Sequence, residues 1–383
     1  MTIKCVCTSN SLQINASGYI VPCCRYLNRW SLPHISEFKN LLDFFQTDEV
    51  KNLKESLDKN KFPYSCTRCA ENEEINSRSR REYLLSQINT DNNEYFLDLN
   101  LGNVCNLKCR MCGPECSSLW HKEMKNIVKN TDVLDVFRED TKPYIIKNRD
   151  IDKIIDFIKE TNGKFNIEFK GGEPLIMEST EYFFNLLYQH NLIKNIKVLD
   201  ITTNGTKSKP DWFDKIANDF ESFFLNFSID GKDEIFDIIR GSNFISYDQV
   251  LKNYKTFDNE KLIRTINVVV QNYNVHQIPE LYIDLKKLNP DAISLSVLLG
   301  PNHLKANVMP ENSRLEILNY YRSDYVKNIL GNNRDYNSII KILETPCTNK
   351  TLNNFYIFNS TLDKLRAQHT KDILPHLFNI STV

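Results

Sequence analysis

The sequence predicts an α/β chain. A parallel sheet of six strand-helix units forms an open or partial barrel, with a small cysteine-rich module ahead of it and a mostly helical extension behind. Three observations predict this. Between about residues 93 and 300, short β-branched or aromatic runs alternate with amphipathic helical patterns. Six of the 11 cysteines fall within the first 90 residues, in two groups. From Gly300-Pro301 onward the apolar pattern is helical and patchy. The expected domains are therefore 1–90, 91–300 and 301–383.

Taken in order, residues 14–21, with a turn at Ser17-Gly18, read as a β-hairpin. Residues 35–58 read as one helical stretch, because Phe38, Leu41, Leu42, Phe45, Leu53 and Leu57 recur at helical spacing. The strands of the central region are expected at 95–101, 164–170, 196–203, 223–229, 262–270 and 292–298. Helices are expected between them at 150–161, closed by Asn162-Gly163, and at 179–190, 209–219, 246–257 and 278–288. Each helix returns the chain to the same edge, so successive strands run parallel.

Composition narrows the function. Glycine is 11 of 383 residues, about 3% against the roughly 7% of average usage, which excludes collagen-like and Gly-linker chains. With 41% apolar residues, 22 Phe and 17 Tyr, the chain fills sizeable cores. Its 48 basic and 49 acidic residues lack the footprint of a duplex nucleic-acid binder. No run approaches the roughly 20 apolar residues of a membrane span, and residues 1–11 lack a secretory core. A cytoplasmic protein without a membrane partner is expected. In that reducing compartment, metal or iron-sulfur ligation explains eleven cysteines better than a disulfide framework does.

Cys105-Asn106-Leu107-Lys108-Cys109-Arg110-Met111-Cys112 follows directly after the first barrel strand and gathers three thiols on one loop. Three cysteines hold a [4Fe-4S] cluster while leaving one iron open to an exogenous ligand. The competing reading is zinc, with Cys116 supplying a fourth thiolate. Further motifs stand at successive strand ends: Gly171-Gly172-Glu173-Pro174, Thr202-Thr203-Asn204-Gly205-Thr206, Ser228-Ile229-Asp230-Gly231 and then Ile239-Arg240-Gly241. Ligands of parallel α/β folds sit at these carboxyl ends.

The triplet and the strand-end motifs together resemble the radical S-adenosylmethionine (SAM) superfamily. The resemblance implies a (β/α)6 partial TIM-like barrel in which Cys105, Cys109 and Cys112 hold a SAM-binding [4Fe-4S] cluster. It also implies SAM contacts from Gly171, Gly172, Glu173 and Pro174, from Thr202, Thr203 and Asn204, and from Ser228, Asp230 and Arg240. The residue before the last cysteine is usually aromatic in this superfamily. Here it is Met111, whose thioether can still pack on adenine. The implied chemistry is reductive cleavage of SAM to a 5'-deoxyadenosyl radical that abstracts hydrogen from a substrate, either a peptide or a small metabolite. A flavodoxin or ferredoxin is the implied reductant.

In the amino-terminal module Cys7 precedes Gly18 by ten intervening residues, and Cys23 follows Gly18 after four, with Cys24 adjacent. Cys66-Thr67-Arg68-Cys69 completes a four-thiol set. The pattern resembles the twitch domain, a shortened SPASM-type extension, here placed before the barrel. The resemblance implies an auxiliary [4Fe-4S] cluster on Cys7, Cys23, Cys66 and Cys69, with Cys24 an alternative to Cys23, for electron relay or substrate placement. A structural zinc ribbon is the competing reading. Cys5, Cys116 and Cys347 are left over. The run Ser77-Arg78-Ser79-Arg80-Arg81 reads as a solvated helix start or, less economically, as a seat for an anionic substrate group. The alternatives to an enzyme are a non-catalytic iron-sulfur electron carrier and a zinc-stabilised binding module.

Overall fold

The computed structural model describes residues 3–27, 32–74, 78–121, 123–124, 144–242 and 244–378. Its core is a single sheet in which β2 (Ile20–Val21) and β1 (Ser11–Ile14) precede six barrel strands in chain order. The six barrel strands are β3 (Glu94–Leu99), β4 (Lys164–Phe169), β5 (Ile196–Thr203), β6 (Ser222–Ser228), β7 (Leu262–Val270) and β8 (Ala292–Val297). All pair in parallel with their sequence neighbours. Each predicted strand is present to within one or two residues, because runs such as Leu-Ile-Arg-Thr-Ile-Asn-Val-Val-Val favour an extended, pleated backbone.

The strands divide their side chains by parity. On β7, Leu262, Ile266, Val268 and Val270 are buried beneath the helices, while Thr265 and Asn267 are half-buried on the opposite face. That opposite face lines the lumen. The covering helices follow the expected rhythm. One is Asn148–Thr161, which buries Ile151, Ile154, Ile155 and Ile158 on one stripe and ends at left-handed Asn162. Others are Glu178–Gln189, Phe213–Asp219, Tyr247–Thr256 and Ile278–Lys286. An eight-residue helix absent from the expectation, Asp233–Arg240, buries Ile235, Phe236, Ile238 and Ile239. Two turns are too short to establish a period against flanking loops.

The amino-terminal region departs from expectation in two ways. The hairpin β1 (Ser11–Ile14) with β2 (Ile20–Val21) forms, but β1 also pairs in parallel with β3, so the sheet continues across residue 90. Residues 35–58 are not one helix. They split into the 3-10 turns Ile35–Glu37 and Leu41–Gln46 and the α-helix Asp48–Asp58. The Asn40 side chain caps Leu42 N–H, and the Thr47 hydroxyl donates to Phe44 C=O, so local polar bonds interrupt the apolar rhythm.

The extension after β8 is helical as expected, through Glu311–Tyr321, Asp324–Leu330, Tyr336–Glu344, Asn349–Arg366 and Thr370–Ile373. The helix Asn349–Arg366 packs back onto the barrel, with Phe355 against Tyr273 at 5.6 Å and Phe358 stacked on Trp120. Among the described residues no helix is long and apolar enough to cross a membrane.

Candidate functional site

The loop after β3 carries Cys105, Cys109 and Cys112 to the carboxyl ends of the strands, and neighbouring elements stitch it in place. Gly172 N–H donates to Cys116 C=O and Glu173 N–H to Val104 C=O. Gly172 has φ +58°, and a Cβ there would lie 2.5 Å from Val104 O, so glycine alone permits this approach. Gly241 does the same on the far side, where a Cβ would meet Lys108 O at 2.6 Å. The paired glycines thus bring the strand end against the cysteine loop itself.

Donors surround the thiols. Leu107 N–H lies 3.5 Å from Cys105 Sγ, Asn204 Nδ2 lies 3.7 Å from the same sulfur, and Arg240 Nη1 lies 3.5 Å from Cys109 Sγ. A hydrogen bond with Cys112 and the Arg240 charge draw the Cys109 thiol down to about 6 against the opposing effect of burial, whereas burial pushes Cys105 up to about 12. N–H donors and a guanidinium turned toward sulfur are what thiolates ligating a cluster require. The donor set therefore fits a cysteine-held cluster. No group of three or more His, Cys, Asp or Glu among the described residues surrounds a single metal-ion position.

The other predicted contacts divide into two sets. Glu173 is buried, and its carboxylate accepts from Thr203 Oγ1 at 2.7 Å, Asn204 N–H at 2.6 Å and Leu175 N–H at 3.1 Å. Burial pushes its carboxyl up to about 7. Asp230 accepts from Val269 N–H and pairs with Arg240 at 3.1 Å. Arg240 also donates to Ser228 C=O, so its planar fork joins a carboxylate, a strand end and a cluster-loop sulfur. Glu173, Thr203, Asp230 and Arg240 thus hold the strand ends together. Thr202 and Ser228 are half-buried on the lumen side, and Met111 is half-buried with Gln271 Nε2 3.9 Å from its sulfur. Gly171 and Pro174 stand on the same strand-end loop.

The amino-terminal thiols converge on a second place. Cys5, Cys7, Cys23, Cys66 and Cys69 line one cavity together with Tyr26, Leu53, Leu57, Phe62 and Arg81. Cys23 hydrogen-bonds with Cys7 and is drawn down to about 7, while burial pushes Cys66 up to about 12. Cys24 is not part of that lining; its thiol is raised by burial and lies within the fields of Arg80, Asp98, Cys23 and Lys170. Sequence reasoning set Cys5 aside. The turn Val6–Thr8 nevertheless brings Cys5 into the cavity lining beside Cys7.

The basic run also changes meaning. Ser77 lies outside the described residues. Ser79 caps the helix Arg80–Gln87 with a reciprocal Glu82 bond. Arg80 is not solvated but turns inward to Glu168 at 3.0 Å and Asp98 at 3.6 Å, and Arg81 pairs with Glu73 at 2.7 Å. The leftover Cys347 lies 3.6 Å from Met309 C=O.

Sequence comparison agrees with this geometry. The family model of the radical SAM superfamily matches residues 99–285, and that of the SPASM iron-sulfur cluster-binding domain matches residues 5–70. No curated protein matches the chain. Among solved structures, anSMEcpe with bound AdoMet is 22% identical over 62% of each chain, with a TM-score of 0.45. The same enzyme with AdoMet and the Cp18Cys peptide is 20% identical over 62% of this chain and 61% of that one, at 0.44. Streptococcus suis SuiB bound to precursor peptide SuiA is 17% identical over 75% of this chain and 59% of that one, at 0.39. The chain thus spans about three fifths of the length of these structures. With its cysteine loop at the strand ends and its amino-terminal thiol cavity, the chain belongs to the radical SAM superfamily and carries a SPASM iron-sulfur domain ahead of the barrel.

Proposed function

We propose that the chain is a radical SAM enzyme acting on a peptide or small metabolite, with residues 1–90 as the auxiliary-cluster domain, 91–300 as the barrel and 301–383 as a helical extension. The carrying observation is the loop of Cys105, Cys109 and Cys112 with Leu107, Asn204 and Arg240 donors directed at its sulfurs. Cys105, Cys109 and Cys112 would hold a [4Fe-4S] cluster, which with bound SAM would supply one-electron reductive cleavage of SAM and, through it, hydrogen abstraction from substrate.

The chain's own residues bind and orient. Arg240 offers positive charge beside Cys109, and Asn204 offers an amide beside Cys105. Gly171, Gly172 and Pro174 present backbone at the strand end, Thr202 and Ser228 present hydroxyls to the lumen, and the Met111 thioether would supply an apolar surface for adenine. Glu173, Thr203, Asp230 and Arg240 fix these groups relative to one another. In the amino-terminal cavity Cys7, Cys23, Cys66 and Cys69 form the ligand set of an auxiliary cluster, with Cys5 as a fifth thiol at hand. Four cysteines close all four irons, which favours electron relay from a flavodoxin or ferredoxin over direct substrate ligation.

Anaerobic reconstitution is expected to give about eight irons per chain, and serine at all three triplet positions to remove about half. Reduced wild-type protein with SAM forms 5'-deoxyadenosine, while the triplet variant does not. Deuterium carried from a labelled candidate peptide or metabolite into 5'-deoxyadenosine identifies the substrate. Colourless, zinc-loaded protein prepared without oxygen would overturn the proposal.

A further inference from the structure

Beneath the strand ends the lumen is charged in a way that ligation of the two clusters does not use. Asp98, Glu168 and Asp200 occupy matching register positions on β3, β4 and β5. Two cations accompany these three carboxylates. Lys170 reaches Glu168 at 2.5 Å, and Arg80 reaches Glu168 at 3.0 Å and Asp98 at 3.6 Å. Asp200 has the amide of Asn226 as a hydrogen-bond donor and, among the described residues, no ion-pair partner. Asp98 is only 3% exposed, and its Oδ1 has no hydrogen-bond partner. Buried anions without matching cations are costly.

A cavity of about 200 Å³ opens beside this group, lined by Tyr83, Phe96, Glu168, Val198, Asp200 and Phe224 among others. That volume holds about six waters or the end of one lysine-like chain. Its walls combine carboxylates with aromatic faces, the two surfaces that attract organic cations. The cavity wall itself shows this chemistry, because the Arg80 guanidinium lies 4.9 Å from the Tyr83 ring and 5.1 Å from the Phe96 ring. Asp200 stands two residues before Thr202 on the same face of β5, so a group seated there lies one pleat below the SAM-facing strand end.

We propose that this lumen cavity seats a cationic group of the substrate, an alkylammonium or guanidinium, against Asp200 and Glu168 between Tyr83, Phe96 and Phe224. The proposal deepens the hydrogen-abstraction reading and rests on it for calling the occupant a substrate. Burial and the neighbouring Glu168 charge push Asp200 up to about 7, against the opposing pull of Lys170 and Arg80, neither of which pairs with it directly.

The test is isothermal titration of the anaerobically reconstituted full chain, without SAM or reductant, with n-butylammonium, n-butylguanidinium and neutral n-butanol. Saturable binding of at least one cation is expected, at least about tenfold tighter than butanol, a difference of about 1.4 kcal/mol. Asp200→Asn, which keeps the shape of the side chain, is expected to weaken that cation about tenfold and leave butanol unchanged. Equal binding of butanol and both cations overturns the proposal without any variant. So does the absence of saturable cation binding, or an unchanged affinity in a folded Asp200→Asn protein. A lysine peptide that binds about tenfold tighter than butylammonium identifies a peptide side chain as the source, and equal affinities identify a small free amine. Failure to form 5'-deoxyadenosine strikes the proposed enzyme function, whereas failure of these titrations strikes only the cation site.

Discussion

Arg240 concentrates three tasks in one guanidinium: it faces Cys109, holds the Ser228 carbonyl and neutralises Asp230. Burial pushes the Asp230 carboxyl up while Arg240 pulls it down, so the pair adds little net stability; removing one partner is what costs. Arg240→Ala leaves a buried carboxylate alone and is expected to destabilise the chain by about 3–5 kcal/mol, measured by denaturant unfolding of the cluster-free protein. The double variant Asp230→Asn/Arg240→Met is expected to recover most of that loss, and an additive double variant would sink the pairing argument. Cys5 and Cys7 pose a different residue-scale question. Both thiols line the auxiliary cavity, and one ligand position separates them from a four-cysteine set. In the proposed set, Cys7→Ser lowers iron by about four per chain and Cys5→Ser does not. The reverse outcome would transfer the ligand to Cys5.

At the scale of elements, the cluster loop is clamped by the carboxyl-terminal helix Asn349–Arg366. Arg110, between two of the three cysteines, is fully buried, and its guanidinium donates to Ile238 C=O at 3.0 Å, Tyr273 OH at 3.0 Å, Asp363 at 2.6 Å and Gln368 at 2.7 Å. Beside it Arg366 and Lys108 share Glu123 at 2.7 and 2.6 Å, and Arg366 lies over Trp120, whose indole N–H donates to Cys109 C=O. Asp363→Ala leaves Arg110 without its carboxylate and is expected to cost about 3–5 kcal/mol and to lower iron at the triplet while the auxiliary iron stays. Equal loss from both clusters would show that the clamp is not local to the loop. None of this was legible in the sequence, where an arginine amid cysteines looks like surface. The strands and the strand-end motifs were legible, because β-branched runs, strand-end glycines and cysteine spacing are local signals. The parallel pairing of β1 with β3, the inward turn of Arg80 and the broken helix at 35–58 depend on long-range partners or capping bonds that periodicity does not carry.

For the whole molecule, three histidines are held neutral by packing of the extension onto the barrel. The rings of His276, just ahead of the helix Ile278–Lys286, and His376, in the turn Pro375–Leu377, lie 4.4 Å apart. Burial, helped by the His376 charge, pushes His276 down to about 3, and burial pushes His376 and His303 to about 4, against an ordinary 6.5. Because the folded values lie below the unfolded one, the unfolded chain binds protons first. Stability is therefore whole above about pH 6.5 and is lost as pH falls toward the folded values near 3 to 4. At about pH 5.5 each such histidine is expected to cost about 1 kcal/mol relative to about pH 7.5. Cluster loss in acid is a separate effect, so the comparison uses cluster-free wild type and His276→Gln/His376→Gln, unfolded by denaturant at both pH values. The double variant is expected to lose about 2 kcal/mol less than wild type over that interval, since glutamine takes up no proton. Equal losses in the two proteins would mean that the histidine pair does not couple docking of the extension to pH.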